Sequence, residues 1–130
     1  MSISERASSG SPFEATIGFS RAVREGNRIL VSGTAPVEDD GSSTPGDAGA
    51  QAERCLAVIV RAIEQLGGSA EDVVRTRQYL IDPADADAVG RAHGRWFADV
   101  RPASTMVVVA ALLRPEWRVE IEAEAVVGGV

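Results

Sequence analysis

The sequence predicts an α+β fold, a two-layer sandwich of one mixed sheet with two helices on one face. Three observations carry that prediction. Two stretches, about 48–66 and 84–97, repeat apolar residues at helical spacing, and each stands between stretches that read as strands. The stretch from Val119 to Val127 alternates apolar and acidic residues, the period of two that a strand covered on one side requires. The segments between are short and rich in Gly, Pro, Asn and Asp, the residues that turns use. The order is ββ(loop)αβαββ. Helices placed between strands in this way cover one face of a single sheet. The other face is left with charged stripes and is a candidate subunit interface.

Composition sets the outer bounds. A chain of 130 residues suits one domain, and 45% apolar content supports a real core. Aromatics are 5% of the chain, so that core is aliphatic. Net charge is −6, and all 13 basic residues are arginine. That excludes a general nucleic-acid surface, which needs clustered positive charge. One cysteine, Cys55, forbids an internal disulfide and reads as a small core residue. The N-terminal stretch has no apolar signal core, and no run approaches the ~18 apolar residues of a membrane span. The expectation is a cytoplasmic protein without membrane contact.

Residues 1–12 are polar and Ser-rich and read as a flexible tail, with 13–130 as the single folded domain. Phe13 to Ile17 reads as a short edge segment. Phe19 to Arg24 and Arg28 to Ser32 read as two strands around Glu25-Gly26-Asn27, since Gly and Asn accept the positive φ of tight turns. Ser32-Gly33-Thr34 closes the second strand. A glycine there marks a bulge, a close approach to the backbone, or only a strand end. Residues 38–49 are a surface loop by composition, and Asp47 is placed to cap the next helix.

That helix runs from about Ala48 to Leu66. Ala52, Leu56, Ile59, Ile63 and Leu66 share one face, and Gly67-Gly68 ends it. Ser69 to Asp72 resembles a capping turn. Val73 to Ile81 is a strand with Val74, Thr76, Gln78 and Leu80 on one face and Arg75, Arg77 and Tyr79 on the other. Asp82-Pro83 stops it. The second helix, about Ala84 to Phe97, sets Ala86, Val89, Ala92 and Trp96 near one face with His93 at the border. Met106 to Leu113 is almost wholly apolar and reads as a strand buried on both faces. A tight connection, Arg114 to Trp117, joins it to the last strand. There Val119, Ile121, Ala123 and Ala125 oppose Glu120, Glu122 and Glu124.

Few chemistries fit these residues. There is no glycine-rich phosphate loop, no C-x-x-C and no H-E-x-x-H. The one histidine, His93, does not furnish a zinc or iron site. Its place beside the core suits packing better than a Ser-His-Asp triad. What remains is carboxylate plus guanidinium: Glu120 with Arg21, Arg75 and Arg77. A buried glutamate suits a general base or a water-orienting group. An arginine clamps a carboxylate through two parallel hydrogen bonds. Together they suit hydrolysis of a small carboxylated molecule. The competing reading, stronger from residue types alone, is cross-strand ion pairing that only satisfies charge. For Glu122 and Glu124, solvation or pairing is the expectation.

A family resemblance bears on that choice. RPASTMVVVAALL followed by VEIEAEAV resembles the C-terminal signature of the Rid/YjgF family, the reactive-intermediate deaminases. Gly18-Phe19-Ser20-Arg21-Ala22-Val23 resembles the family's opening motif. Gly26-Asn27 with Leu30-Val31-Ser32-Gly33 resembles its hairpin. Gln51 to Leu66, Gly67 and Asp72-Val73-Val74 follow its helix-to-strand run. The resemblance implies a chorismate-mutase-like sandwich that forms homotrimers through open sheet faces, with clefts between subunits. It implies a small-molecule substrate, no cofactor and no metal. The implied activity is hydrolysis of enamines and imines released by PLP enzymes, giving 2-oxo acids and ammonia. The implied water-activating residue is Glu120. Ser32 and Gly33 are implied backbone contacts, and Phe19 the motif aromatic, here without a tyrosine hydroxyl.

The chain departs from the family at Ser104. Deaminating members carry an arginine there, which binds the substrate carboxylate, and a serine supplies neither the charge nor the fork. The resemblance is therefore to a divergent branch. Either another arginine clamps the substrate, Arg77 first and Arg21 second, with Thr105 hydrogen-bonding the ligand, or the cleft binds a small metabolite without deamination. A modulator of a partner enzyme is the third alternative. The ribonuclease activity attributed to some members finds no physical support in an acidic, lysine-free chain.

Overall fold

The computed structural model describes residues 4–128. Six strands form one sheet: β1 (Ser4–Ala7), β2 (Ala22–Glu25), β3 (Arg28–Thr34), β4 (Val73–Leu80), β5 (Ala103–Val108) and β6 (Val119–Val126). Their order across the sheet is β1-β2-β3-β6-β4-β5. Only β4 and β5 pair in parallel. Two long helices, α2 (Ala48–Gln65) and α3 (Ala86–Phe97), lie together on one face. This is the α+β sandwich with a mixed sheet that the sequence predicts. A short helix, α1 (Pro12–Ile17), is additional.

Both long helices form for the reasons the sequence offers. The Asp47 side chain accepts from Ala50 N at 2.9 Å and caps α2. Leu56, Ile59 and Ile63 of α2 are fully buried against Ile29, Leu80, Val119 and Ile121 of the sheet. Gly67, at φ 89°, supplies the left-handed turn that ends the helix. Asp72 accepts from Ser69 N at 2.9 Å in the turn before β4. In α3, Val89, Ala92 and Phe97 complete the core. Cys55 is fully buried, and burial pushes its thiol pKa up, as for an inert core cysteine.

The N-terminal segment departs from expectation. Residues 1–3 of the expected tail lie outside the described residues, but Ser4–Ala7 pairs with β2 as an edge strand. Phe13 to Ile17 is helical, not an edge segment. Ser11 caps this helix, Pro12 opens it, and Gly18 closes it at φ 91°. The strand expected from Phe19 therefore begins at Ala22.

The C-terminal half departs in its connection. Met106 to Leu113 is not a strand buried on both faces, and it does not form a hairpin with β6. β5 lies at the sheet edge, parallel to β4 after the α3 crossover, and β4 separates it from β6. Val107 is 42% and Val108 51% exposed there, and Leu113 projects from the following loop. In β4 a bulge between Val73 and Arg75 turns Val74 outward, so Val73 takes its inward place beside Thr76, Gln78 and Leu80.

The uncovered sheet face carries the charged ladder. Arg28 and Arg75 lie 3.1 and 3.5 Å from Glu124. Arg77 lies 3.6 Å from Glu122 and 3.9 Å from Glu124. Tyr79 donates its hydroxyl proton to Glu122.

Candidate functional site

One side chain on that acidic strand face is differently placed. β3 carries a bulge where Val31 pairs with Ala123 and Thr34 with Ile121, so Ser32 and Gly33 stand opposite the single residue between. Glu120 lies over this bulge. A Cβ added at Gly33 would fall 2.5 Å from Glu120 Oε2. Glycine at 33 is therefore the close approach that the sequence left open, as well as part of a bulge. Glu120 has no ion pair within 4 Å among the described residues. Burial raises its carboxyl pKa above the ordinary value; Arg21 opposes the shift and Glu122 adds to it.

Arg21 is the nearby cation, and it is 94% buried, being 6% exposed. Its backbone is held between β1 and β3, by its N–H to Ala7 O at 2.9 Å and by Ser32 N–H to its carbonyl at 2.9 Å. Nη1 donates to Gly33 O at 2.7 Å and to Thr34 Oγ1 at 3.1 Å. Nε makes no hydrogen bond and faces Glu14 Oε2 at 3.6 Å. Glu14 is itself buried. Burial opposes its ionisation, but hydrogen bonds from Ser9 and Ser8 and the charge of Arg21 bring its carboxyl below the ordinary value. The Ser9 hydroxyl donates to it at 2.6 Å.

Glu120, Gly33 and Arg21 line a cavity of about 770 Å³. Its walls come from Phe13 and Ile17 of α1, Phe19, Val58 of α2, and Leu113 and Trp117 of the β5–β6 connection. Ser32 also lines it, although its hydroxyl is held by the Ser20 carbonyl at 2.7 Å. The structure thus brings together five residues singled out in sequence: Phe19, Arg21, Ser32, Gly33 and Glu120.

It does not bring the other three to this cavity. Arg77 belongs to the ion-pair ladder on the open face. Ser104 is tied to its own sheet: Thr76 donates to it at 2.9 Å, and it donates to Gln78 Oε1 at 3.2 Å. His93 Nε2 lies 2.8 Å from the same Thr76 hydroxyl. Thr105 pairs with Arg77 across β4 and β5 and is exposed. The sequence reading missed Glu14, Phe13, Ile17, Leu113 and Trp117. The Ser11-Pro12 start and Gly18 stop were the signal for the helix that carries the first of these.

Among the described residues, no three His, Cys, Asp or Glu side chains stand close enough to hold a metal ion. No helix among the described residues is long and apolar enough to cross a membrane.

Comparison with known proteins adds to this geometry. The family model described as endoribonuclease L-PSP matches residues 10–127. An uncharacterised protein of Streptomyces coelicolor is 41% identical over 125 residues, covering 96% of this chain and 93% of that one. The 3-aminoacrylate deaminase RutC of Acinetobacter baylyi is 33% identical over 105 residues, covering 80% of this chain and 82% of the relative. A crystal structure from Mycobacterium tuberculosis, of a member of the YjgF/YER057c/UK114 family, superposes with a TM-score of 0.87 at 42% identity. It covers 96% of this chain and 100% of that one.

Proposed function

Because the chain belongs to the Rid/YjgF family, whose family model is described as endoribonuclease L-PSP, we propose that it hydrolyses small imine or enamine intermediates to 2-oxo acids and ammonia. The observation that carries this is the Glu120 carboxylate, desolvated and set over Gly33 in the cavity wall. A raised pKa brings a carboxylate closer to neutral pH, where it both takes and returns a proton. Water adds to the imine carbon as Glu120 accepts its proton. Glu120 passes that proton to nitrogen, giving the carbinolamine; it then takes the hydroxyl proton and delivers it to nitrogen as the C–N bond breaks, so that the carbonyl forms and ammonia leaves. Atoms balance: imine plus water gives ketone plus ammonia. The distant relative RutC, a 3-aminoacrylate deaminase, supports this class of substrate. We place the active assembly as a homotrimer, joined through the charged open face of the sheet.

The test is a coupled assay. An amino-acid oxidase or a PLP dehydratase generates the imine or enamine, and semicarbazide traps what survives. Adding the protein lowers trapping, and Glu120→Gln abolishes that effect. Trapping unchanged across several amino-acid substrates would overturn the assignment. A second reading is favoured by Ser104, which lacks the family arginine's charge and is bonded to Thr76 and Gln78. In that reading the cavity binds a metabolite without turnover. Ligand-dependent melting without loss of trapped imine is its signature.

A further inference from the structure

The cavity is uneven in its chemistry. Glu120, Gly33 and Arg21 form a polar part of its lining, Phe13, Ile17, Leu113 and Trp117 form apolar walls, and Glu38, Asp39, Asp40 and Arg54 also line it. Two of those walls end in large aliphatic side chains left in water, Ile17 at 66% and Leu113 at 88% exposure. The Arg114 guanidinium lies 5.4 Å from the Phe13 ring and 5.3 Å from the Trp117 ring, tying the two sides together. At about 30 Å³ per water, 770 Å³ has room for roughly 25 water molecules. The smallest imino acids leave most of that space, and both aliphatic side chains, wet.

Arg21 retains donors for an anion. A guanidinium has about five N–H groups. Nη1 is engaged by Gly33 and Thr34, while Nε and Nη2 donate to no described partner. Other acids at the rim do not neutralise it. Glu38 and Asp39 lie 3.7 and 3.0 Å from Arg54, and Asp40 accepts from Ser42. Glu14, at 3.6 Å on the Nε side, is the carboxylate paired with Arg21 among the described residues, and Glu120 feels its charge from farther off. A second, smaller cavity of about 320 Å³ shares Arg21 with the first, so its guanidinium stands where the two meet.

We propose that the site selects 2-imino or enamino acids with a large apolar side chain, aromatic or branched. Arg21 holds the carboxylate in place of the arginine absent at Ser104. Phe13, Ile17, Leu113 and Trp117 cover the side chain. The proposal rests on the hydrolase reading and narrows it to a substrate class.

The experiment measures binding of two 2-oxo acid products and one ester analogue by calorimetry. The probes are pyruvate, phenylpyruvate and phenylpyruvate methyl ester. Phenylpyruvate binds at least about tenfold tighter than pyruvate, because a phenyl group exceeds the few methylenes that already give such ratios. The ester, without a carboxylate, binds at least about tenfold more weakly than the acid. Leu113→Ala, at an exposed loop position, reduces the preference for phenylpyruvate. Arg21→Gln removes the difference between acid and ester. Arg21 is buried, so the ester comparison in the wild-type protein stands if that variant fails to fold. Equal binding of pyruvate and phenylpyruvate, or of acid and ester, overturns the proposal. Binding as expected with no imine turned over sinks the hydrolase reading alone. Turnover of small imines with no apolar preference sinks this inference alone.

Discussion

A single methyl group at position 33 tests the role of Glu120. The β-carbon of Gly33→Ala would sit 2.5 Å from Glu120 Oε2 and 3.4 Å from its Cδ. Non-bonded heavy atoms settle at about 3.5 Å, so the carboxylate must move by about 1 Å. Gly33 is not in the left-handed region, so its backbone accepts alanine without strain. The moving atoms are the end of a flexible side chain. Stability should therefore change by about 1 kcal/mol or less, which is a shift of roughly 3–5 °C in a domain of this size. Activity should respond far more. A misplacement of about 1 Å in a catalytic group costs on the order of 100-fold. The assay is imine loss by semicarbazide trapping, with a thermal melt on the same sample. A near-wild-type rate refutes the claim that Glu120, in this position, activates water. A melting drop beyond roughly 10 °C refutes the claim that only the carboxylate yields.

Three further outcomes follow from the same geometry. Glu120 has its carboxyl pKa raised above 4.5 by burial, with Arg21 opposing and Glu122 adding, so the unfolded chain releases this proton first. Wild-type stability then falls, relative to Glu120→Gln, as pH rises from 4.5 through the folded value, and melts across that range measure it. His93 is shifted the other way, below 6.5 by burial. Its contribution is present above 6.5 and is lost as pH falls through the depressed value, a dependence His93→Gln should flatten at a cost of about 1 kcal/mol. Ser104→Arg gives up the bonds to Thr76 and Gln78 and installs a carboxylate fork. With Ser104 outside the cavity and Arg21 holding the carboxylate, kcat/KM for small imines should stay unchanged; a rise, measured by the trapping assay, shows that position 104 reaches the site and refutes that placement.

The helices were legible because their signals are local. Asp47, the Leu56–Ile59–Ile63 stripe and Gly67 lie within one stretch of chain and specify start, face and stop. The inward and outward faces of the last strand were legible for the same reason. Strand order was not. β6 inserts between β3 and β4, and that depends on the crossover through α3 rather than on the apolar run that precedes it. The apolar run of β5 suggested burial on both sides, yet an edge strand has neighbours on one side only. The β4 bulge moved Val74 to the opposite face, and no single residue there announces it. Arg21 was visible as a charge, but its partner Glu14 was not, because that contact needs the short helix to fold first.

Glu120, Glu122 and Glu124 share one strand face, and period-two logic treats them alike. Their neighbours do not. Glu124 meets Arg28 and Arg75, and Glu122 meets Arg77 and the Tyr79 hydroxyl. Those two are the cross-strand pairs that residue types alone favoured, exposed enough that each contributes about 1 kcal/mol or less. Glu120 comes after the β3 bulge, where a glycine leaves room for its carboxylate and the nearby guanidinium is already bonded to the Gly33 carbonyl. It is desolvated without being neutralised. One extra residue in the neighbouring strand thus separates a paired carboxylate from a desolvated one without an ion pair two positions away.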